Sequence, residues 1–250
     1  MNPEEFSNVA RAESSYWWYR GMRRISETVL ETGLNGRDPV RALEAGCGTG
    51  YYAHLLERRR NWSVYPVDLA WEGVVRARGL GLARVTQADL RALPFADGAF
   101  DLVSCMDVLV HFAKGGEGPP LAELARVTAP RGLLLLRAAA MRILRSRHSQ
   151  FVWERQRYER RTLVAAVRQA GFRVLRCTYA NCLLSPVALV KFRIWEPLLR
   201  RRAESGTKPL PRWLDALLYS CLRAEAGWLR TGRDLPFGQS LVLLGERAAP

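Results

Sequence analysis

The chain has 250 residues, 48% of them apolar and 10% aromatic, with a formal net charge of +14. That length holds one well-buried α/β domain with a modest appendage and excludes two domains of independent core. The charge excess favours anionic partners, whether an acidic substrate, membrane headgroups or nucleic acid.

The N-terminus, Met1-Asn-Pro-Glu-Glu5, is acidic and lacks the apolar centre of a signal peptide. Residues 4–31 read as one or two helices with clustered aromatics, and residues 33–39 as a turn-rich linker. Residues 40–50, Val-Arg-Ala-Leu-Glu-Ala-Gly-Cys-Gly-Thr-Gly, form a short apolar run that ends in a glycine turn, with a helix expected from Tyr51. Glycines there permit positive φ and the approach of a ligand to main-chain N–H groups.

The spacing decides between ligands. A dinucleotide fingerprint needs a glycine at the sixth position from Gly46, where Tyr51 stands, and a Walker loop needs Gly-Lys-Ser/Thr. Glu44 would repel a phosphate and attract an ammonium group. Residues 62–68 are a second apolar run closing on Asp68, whose two oxygens suit two ribose hydroxyls. Residues 83–89 close a third run on Asp89, able to accept from an exocyclic amine. A ligand with an amino-acid end, a ribose and an adenine, but no phosphate, fits all three.

Further along, residues 95–106 read as a loop and fourth strand, and 107–111 as the segment after it. Residues 124–136 read as helix, Pro-Gly turn and fifth strand. A helix over 160–170 is closed by Gly171, and strands over 172–179 and 239–246 pair antiparallel at the sheet edge. The stretch between them is long for a connection. It contains the basic, apolar run 192–202, a proline break at 209–211, and a helix from 213 with Leu214, Leu217, Leu218 and Leu222 on one face.

Five segments in order resemble the class I S-adenosylmethionine-dependent methyltransferases. The resemblance implies a Rossmann-like seven-stranded sheet, mostly parallel with an antiparallel edge strand and helices on both faces. A helical cap is inserted between the last two strands. It divides the chain into an N-terminal helical lid (1–36), a cofactor-binding core (37–180 and 236–250) and the cap (181–235). It implies S-adenosylmethionine as cofactor, held by Glu44, Ala45, Gly46, Cys47 and Gly48 around the methionine part. Asp68 would meet the ribose and Asp89 the adenine amine, with Leu90 beside the ring; Leu69, and Met106 at the end of the fourth strand, complete the cofactor-binding set. Residues 15–24, Ser-Tyr-Trp-Trp-Tyr-Arg-Gly-Met-Arg-Arg, are similar to the aromatic-Arg helix of a bacterial subgroup, as are Arg157-Tyr158, 170–174, 179–181 and 235–240. Where that subgroup commonly carries a His and a second Arg, this chain has Glu154 and Gln156.

Methyl transfer needs a positioned acceptor and a dry site more than it needs an acid or base. His111, just after the fourth strand, is the first candidate base, against the plainer reading that it packs near the cofactor. His148 and Tyr158 are the other catalytic candidates. Tyr16, Trp17, Trp18 and Tyr19 are expected in a lid against substrate, with Arg20 meeting the cofactor carboxylate. The runs 58–60 and 200–202 are read as solvated helix ends; the second, beside Phe192, Ile194, Trp195, Leu198 and Leu199, is also suited to a membrane surface.

No metal cage is expected from the His and Cys spacing. Cys47, Cys105, Cys177, Cys182 and Cys221 are odd in number and lack any CxxC pair, which suits a reduced, cytoplasmic protein. The expected partner is a small, amphiphilic or lipid-linked acceptor, with peripheral membrane contact through the cap; nucleic acid is not expected, and the oligomeric state is open. The segment 104–107, Ser-Cys-Met-Asp, lacks the pattern of base amino-group methylation, and Cys105 lacks the preceding proline of cytosine C5 methylation. The rival reading is a fold that has lost transfer and binds an anionic partner, and an oxidoreductase comes third.

Overall fold

The computed structural model describes residues 2–34, 36, 41–198, 205–207 and 210–248. Two helices come first, α1 (Pro3–Ala12) and α2 (Trp17–Leu34). Strands and helices then alternate: β1 (Arg41–Ala45), α3 (Tyr51–Arg60), β2 (Ser63–Asp68), α4 (Trp71–Gly79), β3 (Thr86–Gln87) and β4 (Phe100–Met106). A 3-10 turn over Leu109–His111 leads to α5 (Gly118–Val127), β5 (Thr128–Ala139), a second 3-10 turn over Arg142–Leu144, α6 (Arg147–Phe151) and α7 (Arg160–Gln169). After β6 (Phe172–Ala180), the described part of the cap comprises α8 (Ser185–Val190), a π-turn over Lys191–Trp195, α9 (Glu196–Leu198) and α10 (Arg212–Arg230), before β7 (Ser240–Arg247). Among the described residues, no helix is long and apolar enough to cross a membrane.

The sheet runs β3-β2-β1-β4-β5-β7-β6, parallel from β3 to β5, with β7 antiparallel to both β5 and β6. Its central strands are apolar on both sides, because helices cover both. Leu133 and Leu135 of β5 with Val242 and Leu244 of β7 join one core. Leu134 and Leu136 with Leu241 and Leu243 join the other, as the two-residue period of a strand requires. The first core is closed by α2, α3, α4 and α10, the second by α5 and α7.

Three expectations shift. The third strand is only Thr86–Gln87, because the chain turns away once Val67 and Asp68 have been paired. The Pro-Gly turn before the fifth strand is a bulge within β5, with Arg131 in left-handed geometry at φ +63°. The cap divides. Only its first half overhangs the cavity described below, whereas α10 packs on α2. Its buried face is Leu222, Glu225, Ala226 and Leu229, and Leu217 is exposed. That contact is close enough that a Cβ on Gly21 would lie 2.3 Å from Leu222. Much of the 33–39 linker and the whole Arg200-Arg-Arg202 run lie outside the described residues.

Candidate active site

The glycine turn follows β1 at the C-terminal edge of the sheet, where parallel sheets open their crevices. Gly46 takes φ +79° and Gly48 +57°. The Gly46 and Cys47 N–H groups both donate to the Val67 carbonyl at 2.8 Å, and Gly48 N–H donates to Asp68 Oδ2 at 2.7 Å. These amides are therefore spent within the protein, contrary to the expectation that they meet a ligand. What the turn offers is a face without side chains: a Cβ at Gly48 would find no atom within 4 Å.

Three carboxylates belong to the same crevice. Glu44 is buried and accepts Ala53 N–H at 2.9 Å; burial pushes its carboxyl up to about 8, the hydrogen bond opposing. Asp68 accepts the N–H groups of Gly48 and Ala70, and burial raises its carboxyl above the ordinary range. The helix after β2 closes on this pair through Gly73, where a Cβ would lie 2.5 Å from the Gly48 carbonyl oxygen. Asp89 is held bidentately by Arg91, which lowers its carboxyl.

All three border one cavity of about 930 Å³. Of the cofactor-side residues expected from sequence, Glu44, Gly46, Cys47, Gly48, Asp68, Leu69, Asp89, Leu90 and Met106 line it. Ala45 does not; it is fully buried in β1. Arg20 does not line it either. Its guanidinium pairs with Asp215 at 3.4 Å and lies 4.0 Å over the Tyr219 ring, tying α2 to α10. Arg23, one turn on, lines the cavity instead, 5.2 Å over Tyr51.

Part of the lining is aromatic. Tyr16, Trp17, Trp18 and Tyr19 all border the cavity, Trp18 and Tyr19 meeting edge to face at 5.1 Å. Trp17 N–H donates to Asp215, and Tyr16 donates its hydroxyl to the Gly206 carbonyl at 3.2 Å. His111 ends the turn after β4 and lines the cavity. Its Nδ1 faces the Trp153 carbonyl at 3.4 Å, so in the neutral ring Nδ1 carries the proton and Nε2 the lone pair. Burial lowers its pKa below the ordinary histidine value. His148 accepts Gly206 N–H on Nδ1 at 3.1 Å, the opposite tautomer. Tyr158 lies outside the cavity: it is buried, and its hydroxyl donates to the Leu109 carbonyl at 3.2 Å. It braces the His111 turn and is not placed to meet an acceptor.

Residues 43–136 match the model of a methyltransferase domain. That stretch is a methyltransferase domain of the class I S-adenosylmethionine-dependent type. Such a domain accounts for the sheet order and for the glycine turn placed against Glu44 and Asp68. Among sequence relatives is a malonyl-[acyl-carrier protein] O-methyltransferase of Erwinia billingiae, 35% identical over 126 residues, covering 50% of this chain and 49% of the relative. Another is a 2-methyl-6-phytyl-1,4-hydroquinone methyltransferase of Synechocystis, 28% identical, covering 76% and 57%. The chain spans about half the length of the first of these curated relatives. A similar solved structure is the Haemonchus contortus phosphoethanolamine N-methyltransferase 2 in complex with S-adenosyl-L-methionine, at TM-score 0.52 and 17% identity, covering 83% of this chain and 48% of that one. At that identity the likeness shows the fold.

The roles of several cavity residues were not legible in the sequence. Glu13, in the turn between α1 and α2, accepts the Thr49 hydroxyl and so latches the N-terminal helices onto the glycine turn. Burial pushes its carboxyl up to about 7, against the Thr49 hydrogen bond and the charges of Arg23 and Arg76. Arg137 of β5 pairs with Asp107 at 2.7 Å and lies 5.1 Å from the Trp18 ring centre. Glu154 and Arg157 form a buried pair at 2.7 Å, with Arg157 also donating to the Ala140 carbonyl. Arg157 and Glu154 stood out in the sequence only through the subgroup likeness, with no role attached, and Arg137 carries the signal of an arginine inside an otherwise apolar strand.

Proposed function

We propose that this chain holds S-adenosylmethionine in the cavity and transfers its methyl group, by in-line displacement, to a small amphiphilic acceptor. The carrying observation is that Glu44, Asp68 and Asp89 line one cavity together with a side-chain-free glycine face and an aromatic wall. The donor set fits the cofactor: carboxylates for an ammonium, two hydroxyls and an amine, and no nest of free amides for a phosphate. The bound cofactor supplies an activated methyl group.

The chain's own residues do the rest. Asp68 holds the ribose hydroxyls, and Asp89, once Arg91 swings off its exposed pairing, accepts from the adenine amine between Leu69, Leu90 and Met106. Glu44 meets the ammonium end, which draws its proton off. Arg23 takes the carboxylate end, the role expected of Arg20. Trp17, Trp18 and Tyr19 exclude water from the acceptor. His111, neutral and with a lone pair on Nε2, accepts the proton of a hydroxyl acceptor.

An amphiphilic acceptor is supported by the mixed wall, where Phe192 and Trp195 stand beside Arg147, Arg157 and Lys191. Relatives named for an acyl-carrier-linked and a phytyl-bearing substrate support the same reading. The test is calorimetric titration with S-adenosylmethionine, S-adenosylhomocysteine and, as control, NAD. Binding of the first two alone is expected. Silence from both, in folded and cofactor-free protein, would overturn the proposal.

A further inference from the structure

The helical stretch from α8 through α9 is amphipathic with its apolar face turned outward. Val187, Val190, Ile194 and Leu198 recur every three or four residues along this stretch, through the π-turn, with Leu183 just ahead of α8. Each is between 51% and 83% exposed. The other side of the same stretch faces the protein: Ser185 and Ala188 are buried, and Phe192 and Glu196 line the cavity. Such a stripe wastes its burial in water, and exposed apolar patches of this kind mark a surface that something covers.

The charges around it say what. Lys191 and Arg193 flank the stripe and are exposed. The 3-10 turn packed against α8 adds exposed Ile143 between exposed Arg142 and, three residues on, exposed Arg145. Within residues 183–198 the single acid is Glu196, and its carboxylate already accepts Arg147 N–H at 3.0 Å. Basic rim, apolar centre and a long axis along one surface are the features of a helix lying in a membrane interface. A protein partner would call for acids or paired polar groups within the patch, and a second copy would set these cations against themselves.

We propose that this face docks on an anionic lipid bilayer, with the stripe sunk among the headgroups and the cations against lipid phosphates. Trp195 is 63% exposed and also lines the cavity, so the docked face adjoins the cavity mouth. Given the function proposed above, an amphiphilic acceptor would pass from the bilayer into the site past Trp195 without crossing water. The face itself stands on its own geometry, whatever the reaction.

The test is co-sedimentation of the full chain with phosphatidylcholine vesicles, with and without phosphatidylglycerol. Binding to the anionic vesicles is expected, weakening as salt rises. Val190→Asp with Ile194→Asp, both at exposed positions, should weaken partitioning by roughly tenfold or more with the circular dichroism unchanged. Arg142→Glu with Arg193→Glu should weaken binding to anionic vesicles selectively. Wild-type protein left in the supernatant, or a Val190/Ile194 variant that sediments like wild type, would overturn the proposal. So would a wild-type dimer in sedimentation velocity that the same variant dissolves, since the face would then join two copies. S-adenosylmethionine titration of the same proteins separates the two readings: lost vesicle binding with intact cofactor binding sinks the docking face alone, and the reverse sinks the function alone.

Discussion

Gly48 donates its backbone N–H to the Asp68 carboxylate at 2.7 Å, so the glycine turn and the acid twenty residues later form one unit. The other oxygen of Asp68 accepts Ala70 N–H at 2.8 Å, which fixes the carboxylate on both sides. Asp68→Ala removes the acceptor of two amides as well as the group proposed for the ribose. It should reduce S-adenosylmethionine affinity at least roughly tenfold and lower stability by about 1–3 kcal/mol. Calorimetry and urea denaturation of the same preparation measure the two effects. Micromolar-scale binding by folded Asp68→Ala protein would remove this acid from the site.

The N-terminal helices depend on a different contact. Gly21 of α2 meets Leu222 of α10 so closely that no side chain fits between them. Gly21→Ala should overpack this seam and cost about 1–3 kcal/mol, while Leu222→Ala alone should cost about 2–5 kcal/mol. The double variant should lose less than the sum, because the space left by Leu222 receives the added methyl. Strict additivity in thermal denaturation would show that positions 21 and 222 do not act on one another.

Glu13 carries a pH signature. Its folded-state value, raised to about 7 by burial, lies above the ordinary glutamate value of 4.5. The folded state therefore binds more protons than the unfolded state between those limits, and stability falls as pH rises through that window. Glu44, raised to about 8, has the same sign and extends the loss upward. Glu13→Gln should flatten the fall between about pH 5 and 7, leaving the Glu44 part. Denaturation midpoints across pH 5–8 check this, and an unchanged slope would count against a buried, proton-holding Glu13.

His111 is expected to titrate below the ordinary histidine value, since burial disfavours its charged form. Its contribution to stability is present above the unfolded value and is lost as pH falls through the folded one. An NMR titration of the ring proton reads this directly, with His111→Gln to assign the resonance. With a hydroxyl acceptor, His111→Gln should lower kcat by about 10²–10⁴ and remove the acid limb of the rate profile.

Tyr158 acts one step away. Tyr158→Phe deletes the hydrogen bond to the Leu109 carbonyl and should cost about 0.5–1.5 kcal/mol. It should shift the His111 resonance while leaving cofactor affinity intact. A loss of cofactor binding in this variant would place the tyrosine in the site after all.

What the sequence determined by itself was the local chemistry of the crevice. Glycine turn, strand and acid are read from neighbours in the chain, and Glu44, Asp68 and Asp89 each stand at or just past the end of an apolar run visible without a structure. The alternation of strands and helices, with two antiparallel strands at the edge, follows from the same short-range signals. The tertiary structure decided what faces the crevice. Arg20 and Arg23 look alike in sequence, but Asp215 and Tyr219, nearly two hundred residues away, hold the first and leave the second at the cavity. Tyr158 reads as a pocket residue until the Leu109 carbonyl claims its hydroxyl. The insertion reads as one cap, yet α10 packs on α2 while α8 and α9 overhang the site, because Gly21 offers a close-packed seam and the first half of the insertion does not reach it. Short-range periodicity marks which residues are apolar. Only long-range packing determines which of those are buried, and hence that the stripe from Leu183 to Leu198 faces outward.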